Sequence, residues 1–356
     1  ALPTNGIVYA DFGLDMRVVP VELLPMVPLF LRCVQEMGTK TKDDIELSKY
    51  IRTHTGGVGL TYSTTTKYGA NNKIPEPEVV SNVFVRGKAT YAKSAELFDV
   101  VSDMLLNTNF DNKDKFKQMV LETKMRIEAG IPAAGNSFAS GRIGARYEVT
   151  EFVNAKMQGI DTLEDMRKLV AEIDSNWGGV LAKLERLRDL LVDRRNLIVN
   201  LSAEEKGLAA VQSNLENYIN SMPLREGATR IHDWKAEMAK FEGTGEGFIV
   251  PTQVNYVGKG APIYGVGEET SGAMSVVSRH LRTSWLWDKV RVVGGAYGCS
   301  NTFNPMTGMF KYTSYRDPNL METLKTYDET PAFLAEAAKE MTPATLSNAV
   351  IGMIGD

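Results

Sequence analysis

Apolar and polar residues alternate along GIVYADFGLD (6–15), which predicts a β-strand. The pattern then changes to helical spacing over VELLPMVPLFLRCVQEM (21–37), with prolines near its start and Gly38 as its stop. KDDIELSKYIRT (42–53) predicts a second helix, and TGGVGLTYST (55–64) a strand entered through glycines. VVSNVFVRG (79–87) is a further strand, reached through a loop (67–77) rich in Asn, Lys and Pro. YAKSAELFDVVSDMLLN (91–107) is strongly amphipathic, with Leu97, Val100, Val101, Met104 and Leu105 on one stripe. DNKDKFKQMVLETKMRIEAG (111–130) starts at an Asp N-cap candidate and stops at Gly130. A helical region (137–190), the strand RNLIVNLSA (195–203) and a helix (203–220) complete the series.

A second series repeats the order of the first. It runs through a strand FIVPTQVNYVG (248–258), a helix SGAMSVVSRHLRTSW (271–285) and VVGGAYGCSNTF (292–303), again Gly-Gly entering a strand. A turn at Asn304-Pro305 leads to the strand GMFKYTSYRD (308–317), then to helices over 318–337 and 342–355. Two landmarks align the copies: Gly56-Gly57 with Gly294-Gly295, and VRGKATYAKSAELF with SYRDPNLMETLKTY. The second copy lacks the remainder that closes the first, so it is read as truncated at its C-terminus. The expected organisation is a first domain over 1–222, a linker over 223–247 rich in Gly, Pro and charge, and a second domain over 248–356. The hairpin-like strand pairs, joined by loops too short for a crossover, predict α+β: two homologous domains, each a largely antiparallel sheet with helices packed on one face.

Composition narrows the class. With 43% apolar and 24% charged residues the chain has the balance of a soluble globular protein, and a net charge of −4 offers no footprint for nucleic acid. No run of 18 apolar residues exists, so no membrane partner is expected. The N-terminus has neither the layout of a signal peptide nor that of a transit peptide, which fits a processed form or an internal piece. Cys33 and Cys299 are too few for a disulfide framework and read as buried small hydrophobes. No two of His54, His232 and His280 lie three to five residues apart, which rules out a helical His-x3-His pair, HxxEH and HExxH, so no metal ligand is expected in this chain. GGVG (56–59), GTGEG (243–247), GKG (258–260) and GVG (265–267) complete no nucleotide fingerprint, and no nucleophile elbow is present. GIPAAGNSFASGRIGAR (130–146), low in bulky residues, reads as a joint within the helical layer in preference to a peptide-facing surface.

What remains is KVRVVGGAYGCSNTF (289–303). Gly294 and Gly295 allow positive φ or a close backbone approach. Arg291 and Tyr297 flank them, and two readings stand side by side. One is an Arg on a solvated helix end with a Tyr half-buried in the sheet. The other is a guanidinium fork and a rigid hydroxyl donor that bind a peptide backbone and a developing oxyanion.

The tracts PTQVNYVGKG, SWLWDKVRVVGGAYG and FKYTSYRDPNL, with ELLPMVPLFLRCVQEMGT, THTGG and RNLIVNLSAEEKGL, resemble the C-terminal half of the pitrilysin-type (inverzincin, M16) zinc metallopeptidases. The likeness covers nearly the whole chain and falls in the subfamily that contains falcilysin, in its plant and algal organellar form. It implies four similar α/β domains in two halves that close around a peptide chamber, with the HxxEH zinc site in the first. This chain resembles domains three and four, which carry no zinc; zinc belongs to the intact enzyme. It implies that Arg291 and Tyr297 cross the chamber to contact substrate backbone and tetrahedral intermediate, with Gly294 and Gly295 setting the bend. Peptide substrates and the N-terminal catalytic half are the implied partners, and the mitochondrial matrix or chloroplast stroma the implied location. The competing expectation is a non-catalytic scaffold or peptide-binding module of the same fold.

Overall fold

The computed structural model describes residues 2–67, 73–76, 78–226, 230–238 and 245–355. Parts of the predicted 67–77 loop, of the 223–247 linker and of the GTGEG stretch lie outside the described residues. In chain order the elements are β1 (Ile7–Asp15), α1 (Val27–Glu36), α2 (Asp44–His54), β2 (Val58–Thr66), β3 (Val79–Thr90), α3 (Ser94–Asn107) and α4 (Lys113–Gly144). Next come α5 (Val149–Gln158), α6 (Asp161–Ser175), α7 (Trp177–Leu191), β4 (Leu197–Ser202), α8 (Glu205–Ser221) and α9 (Trp234–Met238). The remainder is β5 (Gly258–Pro262), α10 (Ala273–Thr283), a π-helical turn (Trp287–Val293), β6 (Gly298–Asn304), β7 (Met309–Tyr315), α11 (Met321–Asp328), α12 (Thr330–Glu340) and α13 (Pro343–Gly355). The fold is α+β, as the strand and helix order implies.

The chain divides into two compact units. The first comprises Ala1–Thr65, Val80–Met125 and Lys156–Trp234; the second comprises Thr66–Val79, Arg126–Ala155 and Lys235–Asp356. In the first, a sheet of order β2-β3-β1-β4 pairs β1 antiparallel with both β3 and β4. Alternation along β1 sends Val8, Ala10, Phe12 and Leu14 into the core. There Phe12 meets the rings of Phe98 from α3 and Tyr218 from α8, at 5.7 and 4.6 Å between centroids. The α3 stripe Leu97, Val100, Val101, Met104 and Leu105 is buried as its spacing predicts. A capping box starts α2: Asp43 accepts from the Glu46 N–H and Glu46 accepts from the Asp43 N–H.

The second unit holds a sheet of order β5-β7-β6. Its core gathers Val257, Leu286, Val290, Ala296 and Tyr327, with Trp285, Cys299, Tyr312 and Leu324 packed against them. The duplication is visible in the topology. In the first unit β3 lies between β2 and β1, and in the second β7 lies between β6 and β5, so the third strand of each series separates the other two. The aligned glycines agree as well: Gly57 and Gly295 both take positive φ, at 109° and 78°, shortly before the second strand of their series.

Three expectations are corrected. First, α4 begins one residue beyond Asn112, whose side chain accepts from the Lys115 N–H, so Asn112 and not Asp111 supplies the cap. It also runs past Gly130 to Gly144, with a non-helical residue at Ala134. Pro132, lacking an N–H and crowding the preceding turn, kinks the helix instead of ending it. The 130–146 stretch is therefore a bent helix. Its small residues make room for Tyr256, whose hydroxyl donates to the Pro132 carbonyl and whose ring would collide with a Cβ on Gly135. Second, the strand expected over 248–258 forms only as β5, from Gly258 onward. Pro251 breaks the alternation, and Asn255 instead exchanges two backbone hydrogen bonds with Asp317. Third, the strand expected over 292–303 begins only at Gly298; its Gly-Gly pair closes a helical turn.

Candidate functional site

The site grows from that helical closure. In the π-helical turn Gly294 N–H donates to the Lys289 carbonyl, Gly295 N–H to Arg291 and Ala296 N–H to Val290, at 3.0, 3.0 and 3.1 Å. The two glycines do different work. Gly294 keeps a right-handed backbone (φ −76°), but a Cβ there would lie 2.6 Å from the Val290 carbonyl oxygen. Gly295 takes φ +78°, the left-handed conformation that ends the helix and redirects the chain toward β6. Asn319 holds the junction by donating to the Gly294 carbonyl at 2.6 Å.

This closure brings Arg291 and Tyr297 together. Arg291 Nε donates to the Tyr297 carbonyl at 3.1 Å. Beneath the guanidinium lies the indole of Trp287, four residues earlier, with Cζ 3.9 Å from the ring centroid. A stack and a hydrogen bond thus fix the plane of the guanidinium, while its terminal N–H groups have no partner among the described residues. Tyr297 is held through its backbone, with its N–H donating to the Arg316 carbonyl. Its ring stands edge-on to Tyr315 at 5.9 Å. The side chain is 70% exposed, and its hydroxyl has no partner among the described residues.

Arg316 completes the group. Its guanidinium lies over the Tyr315 ring, 5.5 Å from the centroid, and its backbone takes φ +48°. A left-handed backbone costs a non-glycine residue about 1–2 kcal/mol. Asp317, fully buried, anchors the next step of the turn by accepting from the Asn319 N–H at 2.9 Å and the Thr323 hydroxyl at 2.8 Å.

Trp287, Tyr315 and Arg316 were not anticipated. The W-x3-R spacing of Trp287 and Arg291 is a signal for the stack, since residues four apart share a helix face. No comparable signal marks Arg316, whose place depends on where β7 ends. Aligning Gly57 with Gly295 puts Thr53 and Gly59 of the first unit where Arg291 and Tyr297 stand in the second, so the first unit does not duplicate the pair.

The remaining candidates are occupied with packing. Burial pushes the Cys33 thiol up to about 12 and the Cys299 thiol up to about 11, so neither is a thiolate at neutral pH. His54 lies against Tyr50 and Glu96, and His280 stacks on Phe333. Among the described residues no group of three His, Cys, Asp or Glu side chains comes together to hold a metal, so these residues do not fit a zinc ion.

Residues 1–169 match the family described as Peptidase M16C associated, and residues 245–356 the PreP C-terminal domain. The chain is 35% identical over 353 residues to presequence protease 1, chloroplastic/mitochondrial, of Arabidopsis thaliana, covering 99% of this chain and 32% of that protein. It is 27% identical to the mitochondrial presequence protease of Saccharomyces cerevisiae, over 94% of this chain and 34% of that protein. It thus spans about a third of the length of these curated relatives. The peptidase M16 inactive domain from Pseudomonas fluorescens superposes with a TM-score of 0.57 at 14% identity, covering 100% of this chain and 80% of that one, a likeness of fold alone.

Proposed function

Since the chain belongs to the M16 peptidase family, we propose that it is the non-zinc half of a zinc metalloendopeptidase that degrades organellar targeting peptides and other short unstructured peptides. Under this reading the N-terminal half of the same polypeptide is its partner and holds the zinc, and the enzyme works in the mitochondrial matrix or the chloroplast stroma. The names of its relatives, chloroplastic and mitochondrial presequence proteases, support the substrate class and the location.

One observation carries the reading: a guanidinium edge and a phenol hydroxyl, held by the same backbone and both without a partner among the described residues. Arg291 uses only Nε to anchor itself, which leaves its terminal fork to donate to a substrate backbone carbonyl. The Arg291 fork and the Tyr297 hydroxyl both donate to the oxyanion that develops when the scissile carbonyl becomes tetrahedral. Gly294 and Gly295 set the bend that presents both. A pure scaffold of this fold requires neither group to stay unengaged, and their fixed positions lower the ordering entropy of binding.

The purified chain is expected to contain no stoichiometric zinc and to leave unstructured peptides intact. Elemental analysis that finds zinc, together with chelator-sensitive cleavage, overturns the assignment. A second test concerns the stack. In the full-length enzyme Trp287→Leu is expected to lower kcat about five-fold, the equivalent of about 1 kcal/mol of cation–π support, with KM little changed. Steady-state cleavage of a quenched fluorescent peptide reads this, and unchanged kcat means the indole does not orient Arg291.

A further inference from the structure

Tyr297 is gripped from both sides by arginines: its carbonyl accepts from Arg291 Nε, and its N–H donates to the Arg316 carbonyl. The Arg316 guanidinium sits over the ring of Tyr315, the same ring that Tyr297 meets edge-on. We propose that Arg316 is a further substrate-binding residue of this site and that it takes a carboxylate of the peptide, either an acidic side chain or the free C-terminus. The inference rests on the peptidase reading of Arg291 and Tyr297 and adds a chemical class of ligand to it.

Three observations lead there. The Arg316 side chain is exposed and makes no hydrogen bond or ion pair among the described residues. The carboxylate next to it in sequence, Asp317, is turned inward and occupied by Asn319 and Thr323. The backbone at Arg316 is left-handed, where glycine would sit without strain, yet the position carries a long cationic side chain. A planar fork with its donors unengaged, stacked on an aromatic ring, matches a carboxylate in two parallel hydrogen bonds. A neutral amide offers one acceptor in place of two equivalent oxygens and no charge.

The test uses this chain and a fluorescently labelled unstructured peptide in three forms: one internal Asp with a free C-terminus, the same peptide with Asn for Asp, and the same peptide amidated at its C-terminus. Fluorescence polarisation reads the affinities. The expected result is about ten-fold weaker binding of one of the two altered forms, and which one weakens identifies the source of the carboxylate. Arg316→Gln and Arg316→Gly are expected to abolish that preference. Arg316→Gly is also expected to melt no lower than the native chain, because glycine relaxes the left-handed backbone. Equal affinity for all three forms overturns the proposal, as does an undiminished preference in the variants or no binding of any form. A preference lost together with a lower melting temperature in Arg316→Gly shows a structural residue and overturns it too. Turnover by Arg291 and Tyr297 variants is a separate measurement, so a failure of the peptidase reading is told apart from a failure of the carboxylate subsite.

Discussion

On the peptidase reading proposed above, Arg291→Gln and Tyr297→Phe in the full-length protein are each expected to lower kcat by about 10²–10³, the loss that follows removal of one oxyanion donor. Arg291→Gln keeps a polar side chain but loses the charge and the fork. Tyr297→Phe removes only the hydroxyl, and the ring can keep its edge contact with Tyr315. Because donors aimed at developing charge act mainly in the transition state, kcat should fall more than KM rises. The Nε bond to the Tyr297 carbonyl couples the two residues, so the double variant should lose less than the product of the single losses. Single-turnover cleavage of a quenched fluorescent peptide measures the chemical step. Native rates in both single variants would mean that the pair plays no part in the reaction.

Asp317→Ala is expected to destabilise the second unit by about 3 kcal/mol. The carboxylate is fully buried and receives the Asn319 N–H and the Thr323 hydroxyl. Each hydrogen bond to a charged group contributes about 1.5–3 kcal/mol, and the orphaned donors would stay desolvated. Asp317→Asn should cost less, since its amide oxygen still accepts one of the two bonds. Denaturant unfolding of the chain reads both variants. A loss below about 1 kcal/mol for Asp317→Ala would show that water replaces the carboxylate at no cost, and that the turn carrying Arg316 is held by other contacts.

Much of the architecture was legible because its cause is local. The alternation along β1 sends Phe12 inward, and the stripe on α3 buries Leu97 through Leu105 without reference to any distant residue. The repeated order of elements, marked by the aligned glycine pairs, appears again in the sheets, where β3 lies between β2 and β1 and β7 between β6 and β5. The failures share another cause. Gly130 has the look of a helix stop, but α4 continues, and Tyr256, more than a hundred residues later, packs beside Gly135 and donates its hydroxyl to the Pro132 carbonyl at the kink. A strand is expected over 248–258, but a strand needs a neighbour along its length, and among the described residues Asn255 forms an isolated bridge with Asp317.

The candidate site divides in the same way. Residue types and spacing singled out Arg291, Tyr297 and the glycines between them, and the family likeness attached a role to the pair. They did not reveal that Gly294 and Gly295 end a helix instead of opening a strand, because a glycine pair suits a helix end and a bend in a strand alike. Nor did they bring Trp287 under Arg291, or set Arg316 beside Tyr297 from nineteen positions further along the chain (297 to 316). Side-chain periodicity is written into neighbouring residues, whereas the company a side chain keeps depends on how the backbone returns. Here the return of β7 beside β6 brings the Arg316 carbonyl to the Tyr297 N–H, whereas Arg291 reaches the Tyr297 carbonyl through the local helical closure.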